Sequence, residues 1–268
     1  MSNIQNFPKQ ILFYGCGNMG GAVLSGWLHA GISPSHFAIC KPTSRAVPDG
    51  VQYYDHSSKY GGYPDILILG IKPQMLRDMA GDIAHLAGPK TIIISLLAGT
   101  ENQALSEFFP QSANVRMMPN LAIALGKSPI GLLGQLNDVE RDMMNNLMAP
   151  LGGGIWLNNA DQMNGFTALA GSGPAFVYDF IAALSMGGQA AGLSDKDAST
   201  IALNMIEGAV ALARQSADGP DILADKVTSK AGSTAAGRAI LAQNDALKKL
   251  MIDAIIAAKT RNEELAKL

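Results

Sequence analysis

Cysteine and histidine are both scarce in this chain, which has two cysteines and four histidines among 268 residues. Their spacing matches no zinc site, so we predict that the protein binds no metal. Charged residues contribute only 16% of the composition, and the formal net charge is -2. This weak and balanced charge gives no reason to expect a nucleic acid or a membrane surface as a partner.

Long hydrophobic runs are missing as well, because no segment approaches the roughly 20 apolar residues that a membrane-spanning helix needs. The opening stretch MSNIQNFPKQ lacks the basic start and apolar middle of a signal peptide, so a cytoplasmic location is expected. Apolar residues nevertheless make up 48% of the chain, which is ample for a globular core. At this length, two domains are more natural than one.

Short apolar runs alternate with helical patterns in the first half of the chain. Continuously apolar strands separated by helices indicate a parallel sheet that is covered on both faces. The strand patterns lie at 11–14, 37–40, 65–71, 91–99, 114–120, 129–134 and 154–158. From about residue 160, alanine-rich helical patterns replace them. We therefore predict an α/β fold, with an N-terminal Rossmann-type doubly wound sheet over residues 1–159 and an all-helical dimerisation domain over residues 160–268.

The stretch GCGNMG, residues 15–20, has the spacing G-x-G-x-x-G of a dinucleotide-binding turn. A strand pattern precedes it and a helical pattern follows it, as that function requires. Gly15 permits the turn, Gly17 lets the backbone approach a pyrophosphate, and Gly20 lets the helix pack close to the sheet. The first N–H groups of the helix, at Asn18 and Met19, would then bind the phosphates. A glycine-rich turn without a ligand remains the alternative.

The residues after the second predicted strand bear on the choice of cofactor. Sites for NAD usually place an acidic residue there to bind the ribose 2′-hydroxyl, whereas sites for NADP use basic or small polar residues. The stretch CKPTSRAV contains no acidic residue, and its polar members are Lys41, Thr43, Ser44 and Arg45. Because basic side chains attract a 2′-phosphate, the stretch favours NADPH, with NADH as the alternative cofactor. An ordinary solvated basic loop would give the same pattern.

The helical half contains no histidine, since the four histidines lie at positions 29, 36, 56 and 85. Many dehydrogenases that reduce ketones use a histidine or a lysine of their second domain as the acid. The segment GSGPAFVYDFIAAL contains neither residue, and it is not a nucleophile elbow. The substrate should therefore need little acid catalysis. A cyclic imine fits, because it can arrive already protonated and hydride delivery to carbon is then the main event.

Five segments follow one another over nearly the whole chain: GCGNMG, GIKPQ at 70–74, VRMMPN at 115–120, ALAGSGPAFVYDFI at 168–181 and DKVTSKAGSTAAGRAIL at 225–241. Together they resemble the pyrroline-5-carboxylate reductases, which make proline by reducing a five-membered cyclic imino acid with NAD(P)H. The resemblance implies a Rossmann domain followed by a helical domain that interlocks two subunits, often built further into a ring of dimers. It also implies hydride transfer to the imine carbon of 1-pyrroline-5-carboxylate.

The same resemblance implies roles for particular residues. Those that would cover the pyrophosphate are Gly15, Cys16, Gly17, Asn18 and Met19. Those that would line the ribose and the nicotinamide are Ile71, Lys72, Pro73 and Ala98. Those that would hold the substrate carboxylate and ring nitrogen are Ser229, Ser233 and Thr234. A loop of small residues that opens a helix suits this last role, because it offers N–H groups and hydroxyls to an anion. A loop that merely caps a helix is the alternative.

Several positions near the inferred site depart from the family's usual pattern. Lys230 and Ala231 stand where the family has the proline and the first glycine of S-P-G-G-T-T. Leu121 stands where the family has the threonine of M-P-N-T-P, and Ala170 stands where it has a serine. These changes spare the predicted cofactor site but leave the substrate open. The alternatives are a paralogue that reduces another cyclic imine, such as a six-membered ring or a substituted pyrroline, and a dimeric NADP-binding protein with weak or no catalysis.

Overall fold

A computed structural model of the protein describes residues 7–43 and 47–265. Its strands are β1 Ile11–Tyr14, β2 Phe37–Cys40, β3 Gln52–Tyr54, β4 Ile66–Leu69, β5 Ile92–Ser95, β6 Ala113–Met118, β7 Ile130–Gly134 and β8 Gly154–Trp156. They form one sheet in the order β3-β2-β1-β4-β5-β6-β7-β8. Neighbouring strands are parallel except for the antiparallel pair β6 and β7. The order reverses direction between β1 and β4, as in a doubly wound sheet, which confirms the predicted fold class.

Helices connect these strands and then make up the rest of the chain. The helices that accompany the sheet are α1 Asn18–His29, α2 Leu76–Ala84, α3 Asn102–Phe108, α4 Asp138–Met148 and α5 Ala160–Phe166. A π-helical turn, Thr167–Ser172, leads into the second series. That series consists of α6 Gly173–Ala190, α7 Asp195–Gln215, α8 Pro220–Lys226, α9 Ser233–Ala242 and α10 Ala246–Leu265.

The central strands are buried along their whole length, which explains why their sequences are continuously apolar. Successive side chains point to opposite faces of the sheet, so Ile11 and Phe13 join one apolar cluster while Leu12 and Tyr14 join the other. Strand β3 was not predicted, because it lies at the edge of the sheet and its residues are partly or fully exposed. An edge strand of this kind leaves no continuous apolar run in the sequence.

Helix α1, which follows the glycine turn, is held firmly against the rest of the sheet domain. The indole Nε1 of Trp27 donates a hydrogen bond of 2.9 Å to the Leu147 carbonyl oxygen. Gly26 lies so close to the Ile123 carbonyl oxygen that a Cβ at this position would be only 2.4 Å from it. Only glycine fits there, so the close approach of α1 fixes where its N-terminus points.

Packing divides the chain into two units. One unit extends through Gly171 and includes the chain again from Lys259, whereas the other is Ser172–Ala258. Helix α10 therefore begins in the second unit and ends in the first. The predicted domain boundary after residue 159 stays a prediction.

The second unit has almost no interior of its own. Within Ser172–Ala258, which the structure describes completely, only Ser185, Ala198 and Ala202 are buried. Its large exposed apolar side chains include Val177, Tyr178, Phe180, Met186, Leu193, Ile201, Leu203, Met205, Val210, Leu212, Ile222, Val227, Ile240, Leu241, Leu250, Met251, Ile252 and Ile256. An apolar surface this extensive is typical of an interaction surface.

One helical stretch, Ala160–Ala190, is long and apolar enough to cross a membrane by length and composition alone. Its mean hydropathy over the most apolar 18-residue window is 1.2, and 6% of that window is buried. The sequence analysis did not anticipate this stretch. Helices that pair with other helices in water-soluble proteins can meet the same criterion, so the stretch is weak evidence for a membrane.

Candidate active site

Two glycines meet where β1 and β4 end. Gly15 adopts a φ of 77°, and its N–H donates a hydrogen bond of 2.8 Å to the Cys40 carbonyl oxygen on β2. A Cβ on Gly15 would lie 2.8 Å from the Ile71 side chain, and a Cβ on Gly70 would lie 2.5 Å from the Gly15 carbonyl oxygen. Both positions therefore require glycine, and the GCG and GIKP segments form a single junction at the carboxyl edge of the sheet.

Gly17 stands at the N-terminus of α1 with open space in front of it. It is the N-cap residue, and within the described part of the chain no side chain caps the helix and no atom lies within 4 Å of a Cβ built on it. The first N–H groups of α1, at Asn18 and Met19, are thus left for a ligand, and the helix dipole favours a negatively charged one. This open backbone is the cradle that a pyrophosphate needs.

Gly20 does not have the tight packing that the G-x-G-x-x-G pattern assigns to its last glycine. A Cβ on Gly20 would come no closer than 3.6 Å to another atom, the Cys16 Sγ, which is an ordinary van der Waals contact. The close approach of α1 instead occurs two turns later, at Gly26.

A cavity of about 810 Å³ adjoins the glycine turn and gathers several of the predicted cofactor residues. Cys16, Gly17, Asn18, Lys41 and Thr43 line it. Its walls come from the loop after β1, from α1 and from the loop after β2. This is where the phosphates and the 2′-position of a dinucleotide lie in a Rossmann domain.

The cysteine in this cavity is a packing residue. Burial raises the pKa of the Cys16 thiol, and the charge of Lys41 only partly opposes that shift. The thiol is therefore neutral near pH 7 and is not an activated nucleophile.

Lys41 has a fixed backbone at the edge of this cavity. Its N–H donates to the Tyr54 carbonyl oxygen at 3.1 Å, and its carbonyl oxygen accepts from the Tyr53 hydroxyl at 3.1 Å. The residues Ser44 and Arg45, which the sequence places in the same loop, lie outside the described residues.

A second cavity, of about 760 Å³, lies at the carboxyl ends of β4 and β5. Pro73 and Ala98, two of the residues expected to line the nicotinamide end of the cofactor, are part of its wall. Ile71 is half-buried beside the glycine junction, and Lys72 is exposed just before Pro73. The carboxyl ends of parallel strands are the usual position of a ligand in this class of fold.

Two polar residues of this second cavity were not found by the sequence analysis. They are Arg116, on β6, and Asn262, on the last part of α10. The Asn262 Nδ2 is buried and has no hydrogen-bond partner among the residues that the structure describes. Burial lowers the pKa of the Arg116 guanidinium, an effect that the negative charge of Glu101 opposes. Arg116 is part of the VRMMPN segment, but nothing in the sequence marks Asn262.

The segments VRMMPN and ALAGSGPA are joined to each other in the structure. The Asn120 Nδ2 donates a hydrogen bond of 2.8 Å to the Ala170 carbonyl oxygen, and its Oδ1 accepts one of 2.9 Å from the Ala122 N–H. Gly171 packs against Met118, where a Cβ would be 2.8 Å from the methionine Cε. Asn120 and Gly171 therefore connect the sheet to the π-helical turn, and neither is free for chemistry.

In the second unit, the loop before α9 is a tight turn. The Gly232 N–H donates a hydrogen bond of 3.1 Å to the Ser229 carbonyl oxygen, which closes a four-residue turn. Ala231 has a φ of 60°, whereas Lys230 does not have a positive φ. This combination defines a type II turn with Lys230 and Ala231 at its two central positions. A Cβ on Gly232 would lie 2.1 Å from the Ser229 Oγ, so glycine is required there too.

The predicted substrate residues are grouped around this turn. Ser229 begins it, and Ser233 and Thr234 form the first turn of α9; all of them are exposed. Helix α9 has Gly232 as its N-cap residue and no side-chain cap, so its first N–H groups are open to a ligand. The structure thus brings the predicted hydroxyls and the helix N-terminus together, and their role in substrate binding stays a prediction.

Arg238, which the sequence analysis also missed, holds this loop in place from α9. Its Nη1 donates to the Thr228 Oγ1 at 2.8 Å and to the Ala224 carbonyl oxygen at 3.1 Å. It also forms an ion pair of 2.9 Å with Asp225. Since this ion pair is mostly exposed, the two hydrogen bonds are the more important restraint.

The fold and the sites describe a class of protein: an oxidoreductase with a Rossmann domain for a dinucleotide and a helical domain that pairs with another subunit. Family models support both halves. Residues 10–99 match the model described as "NADP oxidoreductase coenzyme F420-dependent". Residues 160–265 match the one described as "Pyrroline-5-carboxylate reductase dimerisation".

Individual relatives agree with these matches. The chain is 33% identical over 205 residues to a pyrroline-5-carboxylate reductase of Synechocystis, an alignment that covers 76% of each chain. It is 29% identical over 263 residues to one of Glycine max, which covers 95% of each. The chain therefore belongs to the pyrroline-5-carboxylate reductase family.

Solved structures show the same fold. The pyrroline carboxylate reductase of Plasmodium falciparum, determined with NADP bound, superposes with a TM-score of 0.83 at 24% identity and covers 99% of both chains. The pyrroline-5-carboxylate reductase of Coxiella burnetii superposes with a TM-score of 0.88 at 24% identity, covering 96% of this chain and 98% of the other.

Proposed function

We propose that this protein reduces 1-pyrroline-5-carboxylate to L-proline, with NADPH as the hydride donor. The observation that carries the proposal is the open backbone cradle at Gly17, which adjoins the cavity lined by Lys41 and Thr43. Membership of the family supports the choice of reaction, because its curated relatives bear the name of this enzyme.

The sheet domain fits the cofactor through its own residues. The uncapped N–H groups at the start of α1 bind the pyrophosphate, and Gly17 allows the backbone to come close. Lys41, together with Ser44 and Arg45, attracts the 2′-phosphate, which favours NADPH over NADH. Pro73 and Ala98 line the cavity at the strand ends where the nicotinamide is held. Bound NADPH supplies the hydride.

The helical domain fits the substrate. The exposed N–H groups at the start of α9 and the hydroxyls of Ser229 and Ser233 bind the carboxylate, because a helix N-terminus favours an anion. The Thr234 hydroxyl hydrogen-bonds with the ring nitrogen: it donates to a neutral imine and accepts from one that arrives protonated. Holding the carboxylate orients the imine carbon, and most of the rate enhancement comes from this positioning.

The proposed enzyme is a homodimer or a ring of dimers. The second unit has almost no buried residues and many exposed apolar ones, so a second copy of the chain is the partner that would cover them. This pairing would also cover the apolar stretch Ala160–Ala190, without a membrane. We expect the protein to be cytoplasmic and to bind no nucleic acid.

A panel of cyclic imino acids, assayed with NADPH and with NADH, tests the proposal. The rate of cofactor oxidation should be highest with 1-pyrroline-5-carboxylate and NADPH, and the product should be proline. Faster turnover of a six-membered or substituted ring would instead identify a paralogue with another substrate. Tight NADPH binding without turnover of any member of the panel would identify a dimeric NADP-binding protein, and Lys230, Ala231, Leu121 and Ala170 would then be the residues to restore to the family pattern.

A further inference from the structure

The cavity at the carboxyl ends of β4 and β5 contains hydrogen-bond donors that no described residue satisfies. The Asn262 Nδ2 is buried without a partner. Within residues 7–43 and 47–265, the Arg116 guanidinium forms no ion pair and no side-chain hydrogen bond, although burial lowers its pKa. Buried donors are nearly always paired, because an unpaired one loses its bonds to water without any replacement. The buried Asn262 amide, together with the half-buried Arg116 guanidinium on the same cavity, points to a ligand.

The other residues of the cavity wall indicate the chemical class of this ligand. Among the described residues no carboxylate lines the cavity, and Glu101 acts on Arg116 only through its charge, so the donors of both side chains remain available to an acceptor from outside. Leu97, Ala98 and Met117 contribute apolar surface, which suits the face of a planar ring. The volume, about 760 Å³, is in the usual range for a small-molecule site. The site therefore suits a flat, mostly apolar group that carries an oxygen acceptor.

Ion pairs of Lys259, on the same helix, hold the part of α10 that carries Asn262. Lys259, one turn earlier, contacts the Asp161 carboxylate at 2.5 Å and the Glu263 carboxylate at 3.2 Å. Asp161 lies in the first turn of α5, so the ion pair ties the end of α10 to the sheet unit. These hydrogen bonds raise the pKa of Lys259, and the amine stays charged at neutral pH.

We propose that Asn262 and Arg116 together bind the carboxamide oxygen of the nicotinamide ring, so that the C-terminal helix helps to orient the reactive end of the cofactor. This inference rests on the proposed function, since it takes NADP(H) as the ligand. Pro73 and Ala98 bring the cavity to the strand ends where a Rossmann domain holds its ligand. Asn262 and Arg116 are positioning residues that deliver no proton.

Direct binding to two ligands tests this role without any measurement of turnover. NADP⁺ carries the nicotinamide, whereas 2′-phospho-ADP-ribose lacks it and keeps the rest of the recognised groups. For the Asn262→Leu variant, calorimetry should show about tenfold weaker binding of NADP⁺, which corresponds to the loss of one buried hydrogen bond. Its affinity for 2′-phospho-ADP-ribose should match that of the unmodified protein.

Two further variants make the result specific. Asn146→Leu introduces the same change at an exposed position of α4 and should leave the binding of both ligands unchanged. Arg116→Met keeps the apolar stem of the side chain, and it should also weaken NADP⁺ while sparing 2′-phospho-ADP-ribose. The thermal midpoint of each variant shows whether it is folded.

Four outcomes would overturn the inference. Equal weakening of both ligands by Asn262→Leu would mean that the residue only supports the fold. Unchanged NADP⁺ binding with a raised KM for the imino acid would assign the two donors to the substrate carboxylate. If the unmodified protein bound neither ligand, the proposed function would fail together with this inference, whereas normal binding by the unmodified protein and by Asn262→Leu would remove this inference alone.

Discussion

Replacing Ala231 by glycine should stabilise the protein, although the change removes a methyl group. Ala231 occupies the third position of the type II turn at 229–232 with a φ of 60°. Glycine is the preferred residue at this position, because a Cβ clashes with the backbone when φ is positive. The family's proline and glycine are thus the residues that this type of turn favours at its two central positions, and this chain has Lys230 and Ala231 instead.

The size of the effect follows from two opposing terms. A left-handed conformation costs an alanine about 1–2 kcal/mol. Glycine offsets about 0.4–1 kcal/mol of that gain, because it is more flexible in the unfolded chain and therefore loses more entropy on folding. Ala231→Gly should therefore raise the free energy of unfolding by roughly 0.5–1 kcal/mol. Lys230→Pro should add about 0.4–1 kcal/mol, since the Lys230 N–H donates no backbone hydrogen bond that would be lost.

Thermal unfolding at a fixed protein concentration measures this effect, because the stability of an oligomer depends on concentration. For a chain of this size, Ala231→Gly should raise the midpoint by about 1–4 °C. The matched control is Ala236→Gly, the same substitution inside α9 at an exposed helical position, which should cost about 1 kcal/mol. If Ala231→Gly lowered the midpoint as the control does, the assignment of a strained type II turn would be wrong.

Four further changes test separate parts of the structure. Gly17→Ala should lower the thermal midpoint only slightly, since the new Cβ meets no described atom and only the N-cap preference for glycine is lost, yet weaken NADP⁺ binding by about tenfold or more, as calorimetry would show. Thr234→Ala should lower turnover of the imine by about tenfold without a change in NADPH affinity, and equal loss of both would mean that the loop is only structural. Lys41→Ala combined with Arg45→Ala should weaken NADPH far more than NADH; an unchanged ratio of dissociation constants would contradict the 2′-phosphate argument. Burial raises the pKa of Tyr14 to about 12, so the unfolded chain loses this proton first and stability falls as the pH rises from 10 to 12. For Tyr14→Phe, the free energy of unfolding from denaturant titrations should fall by about 2–3 kcal/mol less over this pH range.

The sequence predicts the sheet well because its central strands are covered on both faces. Complete burial requires an unbroken apolar run, and such runs are visible without any knowledge of the partners. Strand β3, Gln52–Tyr54, escaped this test because an edge strand exposes part of its surface. The C-terminal end of the helical unit could not be predicted from the sequence either. The chain from Lys259 onwards packs with the sheet unit, in which Lys259 pairs with Asp161, about a hundred residues earlier.

The glycine turn was recognised from its spacing, but the spacing did not predict the packing of every glycine. Gly15 and Gly17 have the geometry that the pattern implies, one with positive φ and one with open space. The close contact of the helix falls at Gly26, outside the pattern, because it depends on where the Ile123 carbonyl lies. A sequence motif predicts local backbone geometry, whereas a contact between distant segments can be predicted only when the whole fold is known.

Asn262 shows the same limit at the site itself. Its proposed role rests on an amide without a partner among the described residues, and that is a property of everything around it rather than of the residue. Arg116 is similar, because a surface arginine and a partly buried one look identical in a sequence. Residues whose role depends on contacts with distant residues were therefore missed, whereas residues whose role depends on their own backbone were predicted.

The departures from the family's loop affect the energy of the turn more than its shape. With lysine and alanine at its centre, the turn still closes through the hydrogen bond from Gly232 to Ser229. Arg238 restrains the same loop from the side, through Thr228 and the Ala224 carbonyl. The hydroxyls and the uncapped helix N-terminus consequently keep the arrangement that the proposed binding of a carboxylate would use. The loss of the proline and glycine thus argues for a less stable loop, and it gives no physical reason to expect a lost activity.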